Sequence, residues 1–194
     1  MDIDWAFIAR LEGGQRRDGY IPKGKEKSGV TVATGVDLGQ HSAADLNRMG
    51  VPPELKKKLI PYLLKSGPEA ARLLEKHPLR LTLQEAIALD RAVKSDTLRR
   101  FVRKYDQAIA ADGIHFQQLP HEVQTIIASV VWQYGVNINI PANNGGAPKF
   151  WRLVTAQDWQ GTYGELMNFS DPFGPRRRQE GEYLKRWLDR QPVG

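Results

Sequence analysis

The sequence predicts an α+β fold, mainly α, with a small N-terminal antiparallel β-sheet and a larger helical lobe. Three observations predict it. Strand-forming residues alternate in one stretch only, at Val30, Val32, Thr34 and Val36. The same stretch is punctuated by Gly19, Pro22, Gly24, Gly29, Gly35 and Gly39. From Ser42 onward the apolar spacing is helical and is bounded by caps and prolines. A chain of 194 residues, 41% of them hydrophobic, can bury one real core. It is read as a single domain over 1–194, with 13–75 forming the smaller lobe and 1–12 plus 76–194 the helical lobe.

In chain order, residues 3–12 form a short amphipathic helix with Trp5, Ile8, Leu11 and Glu12 on one face, and Gly13-Gly14 stops it. Residues 15–40 hold two or three short strands, too few to stand alone, so they must pack on a helical body. Ser42 caps a helix that Gly50 closes. Pro52-Pro53 opens the next, from Glu54 to about Leu64, with Pro61 breaking or kinking it. Another runs from Pro68 to His77, ahead of Pro78. Thr82-Leu83-Gln84-Glu85 is a capping box that starts a helix to about Lys94. Ser95 caps its successor, which reaches about Ala111 and stops at Asp112-Gly113. Pro120 precedes a strong helix, His121 to Tyr134, ended by Gly135. Asn137 to Pro148 is a polar loop. Two short helices follow, Lys149 to Thr155 and Trp159 to Phe169, and Arg176 to Arg190 is the last.

Composition narrows the chemistry. There are no cysteines, so disulfides, thiol catalysis and Cys-ligated metals are excluded. His41, His77, His115 and His121 have no ligand-like spacing, so neither a metal nor a cofactor is predicted. No apolar run approaches the length of a membrane helix. The start, Met1-Asp2-Ile3-Asp4, lacks the basic and apolar regions of a signal peptide. A net charge of +6 and a pI near 9.6 favour an anionic partner, whether nucleic acid, membrane surface or bacterial cell wall. The same charge also suits a basic protein with no such partner.

Glu12, Thr31 and Asp37 are the most informative residues. A glutamate at a helix end, combined with a Thr/Asp-bearing strand pair, is what glycoside hydrolysis requires. One carboxyl protonates the leaving oxygen, and a second group handles the water or the developing cation. By spacing alone, Glu12 also reads as a solvated helix-terminal glutamate, Asp37 as a turn aspartate bonding its own backbone, and Thr31 as an ordinary strand residue.

Four segments decide between these readings. They are Leu11-Glu12-Gly13-Gly14, the run from Ser28 to Gln40 (SGVTVATGVDLGQ), Val131-Trp132-Gln133-Tyr134-Gly135, and Gly174-Pro175-Arg176-Arg177-Arg178. In this order they resemble the phage-type lysozymes, and most closely the lysozyme-like toxin and effector domains typified by pesticin. The resemblance spans almost the whole chain, and its second segment is the most specific. It implies a lysozyme-like fold and a glycoside hydrolase, a muramidase that cuts the β-1,4 bond between N-acetylmuramic acid and N-acetylglucosamine in peptidoglycan. It implies Glu12 as general acid, Asp37 as general base and Thr31 as the residue that positions the water, an arrangement that suits inversion. Leu11 and Phe7 are the neighbours that desolvate Glu12. Gln133, Trp132 and Tyr134 line the sugar cleft, Trp132 being equally readable as core, and Arg177 or a neighbouring arginine pairs with Glu12. Asn137, Asn139, Asn143 and Asn144 extend the site or form a flexible loop.

One departure stands out. The ordinary phage enzymes carry an aspartate between the glutamate and the threonine strand. Here Asp18 is the only candidate, in a segment that does not match theirs. The pesticin-type pattern selects Asp37 instead. The resemblance further implies a monomer that is made in the cytoplasm and acts in the periplasm or cell wall of a target bacterium, or at host lysis. Its partners are peptidoglycan strands and a cognate immunity protein or secretion-system component, with no nucleic acid and no membrane span. The alternatives are a basic nucleic-acid-binding module, suggested by Lys56-Lys57-Lys58, Arg99-Arg100 and Arg176-Arg177-Arg178, and a catalytically inactive lysozyme-like wall-binding protein.

Overall fold

The structure, a computed structural model, describes residues 1–22, 27–140, 147–169 and 172–192. It is mainly helical with one small sheet, as the sequence predicts. Two compact units are formed, one from Ala9–Asp96 and the other from Met1–Ile8 with Thr97–Gly194. Among the described residues, no helix is long and apolar enough to cross a membrane.

The unit over Ala9–Asp96 holds the sheet. Strands β1 (Arg16–Tyr20), β2 (Thr31–Ala33) and β3 (Val36–Asp37) are antiparallel in the order β1-β2-β3. Thr31 pairs with Asp37 and Val32 with Val36, while β1 is irregular between Arg16 and Tyr20. β1 is an edge strand, and its outer edge bonds a second segment. Gly19 N–H donates to Leu79 O (2.9 Å), and Leu81 N–H donates to Arg17 O (2.8 Å). Backbone groups that three short strands leave unpaired are thereby satisfied.

Helices follow the sheet in this unit. Ser42 and Asp45 form a capping box at α2 (Ala43–Met49), and Gly50 ends it in the left-handed region that glycine adopts without strain. Helix α3 (Pro53–Leu59) gives way at Pro61 to a 3-10 turn, Ile60–Tyr62, since proline removes a helical donor. Helix α4 (Gly67–Lys76) follows. Val30, Val32, Val36, Leu38, Leu46, Leu55, Leu59, Leu81 and Leu89 are buried in this unit. The lysine triplet is engaged locally, Lys56 with Asn47, Lys57 with Glu54 and Lys58 with Glu85.

Two expectations need correction. Helix α5 runs unbroken over Leu83–Ala108, where the sequence predicts a new helix at Ser95. Thr82 and Glu85 do form its capping box. No Gly or Pro lies between Leu83 and Ala108, and a serine inside a helix costs too little to stop it. In α1 (Trp5–Leu11) the buried residues are Phe7 and Ile8, and Trp5 is 39% exposed. A two-turn helix takes its buried stripe from its tertiary partner, and Phe7 stacks on Tyr183 with centroids 4.3 Å apart. Phe7 is thus a packing residue of the other unit.

That unit is built on α6 (His121–Tyr134), which is buried continuously from Val123 to Val131. Helices α7 (Pro148–Thr155), α8 (Trp159–Met167) and α9 (Gly174–Leu188) complete it, with α8 and α6 both packing on α9. Phe101, Tyr105, Phe116 and Trp151 form an edge-to-face aromatic cluster. The N-terminal residues are tied in by polar bonds. Asp4 N–H donates to Thr125 Oγ1 (3.0 Å), and Tyr183 Oη donates to Asp4 Oδ2 (3.0 Å).

Candidate active site

Glu12 follows the last residue of α1, in a turn where its N–H bonds Ala9 O (3.2 Å). Gly13 and Gly14 come next with φ of +73° and +93°. These left-handed values let the chain turn away from the helix end without a Cβ clash. Glu12 lines a cleft of about 780 Å³ whose walls are Gly13, Gly14, Arg16, Tyr20, Ile21, Pro22, Ala33, Thr34 and Gly35. That volume suits a ligand of a few rings. The guanidinium of Arg16 lies 4.2 Å over the Tyr20 ring centroid, so the cleft carries a cation held by an aromatic face.

Thr31 and Asp37 are direct cross-strand partners on β2 and β3, in the same unit as Glu12 but outside the lining of this cleft. Thr31 is buried and donates from Oγ1 to Gly29 O (3.3 Å). Asp37 is held rigidly. Its Oδ1 accepts from Gly29 N–H (3.0 Å) and Gly39 N–H (2.9 Å), capping the 3-10 turn Leu38–Gln40. Oδ2 takes no hydrogen bond among the described residues. Asp37 is therefore a turn aspartate, with Oδ1 committed to two backbone N–H groups.

The glycines of the Ser28–Gln40 segment are a consequence of this geometry. A Cβ on Gly29 would stand 2.5 Å from Gly39 N and 2.6 Å from Asp37 Oδ1, and one on Gly39 would stand 2.5 Å from Lys65 O. Only bare backbone fits against Asp37 on both sides. Gly29→Ala is expected to lower stability by about 1–3 kcal/mol, read as a lower denaturant midpoint at unchanged slope. A wild-type midpoint would show that the two segments approach less closely than this.

Asp18, the other candidate carboxylate, sits on β1 and faces outward. Its Oδ1 accepts from Arg80 Nε (2.7 Å), and both side chains are exposed. The Arg80 hydrogen bond holds its carboxyl below the ordinary carboxylate range.

The predicted sugar-binding residues Gln133, Trp132, Tyr134 and Arg177 all lie in the other unit. Arg177 is fully buried, as is Glu180, its partner one turn along α9. Arg176 Nε also donates to Glu180 (3.1 Å), and Ser129 Oγ donates to the same carboxylate. Arg177 donates a second bond to Gln133 Oε1 and lies 5.3 Å from the Tyr134 and 5.0 Å from the Phe169 ring centroid. With its oxygen taken, Gln133 presents its amide N–H₂ as donor. Trp132 is half-buried beside it. Lys104 binds Asn137 and Asn139 through their side-chain oxygens, so these two anchor the segment after α6. Asn143 and Asn144 lie outside the described residues.

Sequence reasoning missed Asp90, on α5. It is 4% exposed, and its carboxylate holds Thr34 and Gln15, one residue on either side of the cleft's chain path. Its signal was present. Asp90 falls on the apolar stripe Ala86, Leu89 and Val93, where a carboxylate must find donors if buried.

The chain matches, over residues 2–160, the family described as "Pesticin: Bacterial toxin homologue of phage lysozyme, C-term". A search of curated proteins finds no match. The matched span contains Glu12, Thr31, Asp37, Asp90 and Gln133, and covers most of the chain. By this match, together with the mainly helical fold and its small antiparallel sheet, the chain belongs to the pesticin family of phage-lysozyme homologues.

Proposed function

We propose that this protein is a muramidase that hydrolyses the β-1,4 bond between N-acetylmuramic acid and N-acetylglucosamine in peptidoglycan, with inversion. The observation that carries the reading is Glu12 on the wall of an open cleft, in a chain of this family. Glu12 protonates the glycosidic oxygen as the bond to the leaving sugar breaks. Asp37, pinned through Oδ1 by two backbone N–H groups, takes a proton from the attacking water through Oδ2. Thr31, whose hydroxyl already donates to Gly29 O, accepts a hydrogen bond from that water. The fixed cation of Arg16 suits a substrate that carries carboxylates, as peptidoglycan does and neutral chitin does not. Gln133, Trp132, Tyr134 and Arg177 serve the sugar, with Arg177 orienting the Gln133 amide.

The family description, a bacterial toxin homologue of phage lysozyme, supports an antibacterial setting. The protein acts as an antibacterial effector or bacteriocin-type domain, with the role of phage lysin as the other setting the chemistry allows. It works as a monomer on the glycan strands of a target cell wall, reached with a secretion-system component, and a cognate immunity protein protects the producer.

Purified protein incubated with peptidoglycan is expected to release muropeptides with reducing muramic acid ends, the α-anomer appearing first in the NMR spectrum. Asp37→Asn is expected to lose about 10²–10⁴-fold in rate, and Asp18→Asn to stay near wild type. No release by wild type would sink the muramidase reading and leave a wall-binding protein. Loss in Asp18→Asn alone would move the base to Asp18, and a β-anomer would mean retention.

A further inference from the structure

We infer that Asp90 is a positioning residue for catalysis, a buried clamp that sets the spacing between the two cleft walls on either side of Glu12. This role rests on the muramidase reading of the cleft. Asp90 Oδ1 accepts from Thr34 N–H (3.2 Å) and Thr34 Oγ1 (2.8 Å), and Oδ2 accepts from Gln15 Nε2 (3.0 Å). These donors come from separate stretches of chain. Gln15 follows Glu12-Gly13-Gly14, and Thr34 sits in the turn between β2, which carries Thr31, and β3, which carries Asp37.

Both stretches need such a clamp. Gly13 and Gly14 bring no side chain of their own to pack, and a Cβ on either would meet nothing within 4 Å. On the far wall, Ala33 is held at φ +56°, a conformation that costs an alanine energy and persists only where its surroundings impose it. The Thr34 bonds to Asp90 impose it one residue away. Asp90 itself does not line the cleft, so it acts through the two walls. A filler at this place would be apolar, like Ala86, Leu89 and Val93 on the same face of α5. A buried carboxylate served by neutral donors is worth keeping only for the bonds it makes.

The clamp is tested on the full chain with Asp90→Leu, Asp90→Asn and Gln15→Leu. Asp90→Leu and Gln15→Leu are expected to lower kcat by about 10²-fold through misplacement of the reacting groups, with KM little changed and fold retained by circular dichroism. Asp90→Asn is expected to restore kcat. Its oxygen accepts both Thr34 bonds, and its amide donates to Gln15 once that side chain turns over. Hydrogen exchange at the Thr34 amide is expected to speed up in Asp90→Leu and not in Asp90→Asn. Wild-type kcat in Asp90→Leu overturns the role, and so does an Asp90→Asn as slow as Asp90→Leu, since the charge and not the bonds would then matter. If Asp90→Leu does not fold, Gln15→Leu and Asp90→Asn decide by the same criteria. If wild type cleaves no glycan, the muramidase reading has failed, and unchanged Thr34 exchange between wild type and Asp90→Leu would separately overturn the clamp.

Discussion

Glu12→Gln is expected to lower the release of reducing muropeptides by about 10²–10⁴-fold, the range that a positioned general acid contributes, while the fold survives. A sugar alkoxide is too poor a leaving group to depart unprotonated at neutral pH. Glutamine fills the same volume and still hydrogen-bonds the glycosidic oxygen, but it has no proton to give. Glu12 lies in a turn past the end of α1 and on the cleft wall, outside the buried apolar core, and the substitution keeps its volume. The measurement is an initial rate on purified peptidoglycan with chromatographic identification of the products. It is paired with substrate binding, which is expected to stay within a few-fold because the loss falls on the transition state. Wild-type rates in Glu12→Gln would falsify the assignment of the acid, whatever the fate of Asp37.

Glu180→Ala is expected to destabilise the unit containing α6 and α9 by about 3–5 kcal/mol, the cost of breaking a buried ion pair by removing one partner. Glu180 is the carboxylate that Arg176 and Arg177 share, and it and Arg177 are fully buried. Without it, two guanidiniums lose their common counter-charge, and that of Arg177 is fully buried. Ser129 Oγ loses its acceptor as well. Glu180→Gln keeps the volume and one acceptor oxygen, so its loss is expected to be smaller. Urea or guanidinium unfolding of both variants gives the order. A loss in Glu180→Ala below about 1 kcal/mol, the value of a surface pair, would mean that solvent screens the cluster. Gln133 is held through Arg177, so a partly folded Glu180→Gln is also expected to bind glycan more weakly.

What could be read from the sequence was local. Helix limits came through where a single residue decides them, as with Ser42 and Asp45, Pro61, Thr82 and Glu85, and Gly135. Ser95 misled because cap-forming residues are signals only where the chain is free to stop, and nothing near Ser95 stops it. The family was legible because the residues around Glu12, Thr31 and Asp37 carry its pattern. The turn reading of Asp37 is the one the structure shows, with Oδ1 accepting from Gly29 N–H and Gly39 N–H. Asp90 was missed because its partners are distant, 75 residues to Gln15 and 56 to Thr34. Arg177 lies in the first turn of α9, where cations are disfavoured. The structure supplies the compensation in Glu180, three residues along the same helix.

The order in which the chain is threaded has a consequence for how it folds. Residues 1–8 belong with residues from Thr97 onward, and the other unit lies between them in sequence. The bond from Asp4 to Thr125 spans 121 positions, and that from Tyr183 to Asp4 spans 179. During synthesis residues 1–8 therefore wait until Thr125, and then Tyr183, has left the ribosome. Closing such a loop costs entropy that grows only slowly with length, but it must be met before the contacts repay it, which slows folding. Once residues 9–96 have condensed, the chain between the ends behaves as a shorter tether. Residues 1–8 are thus among the last parts of this chain to lock.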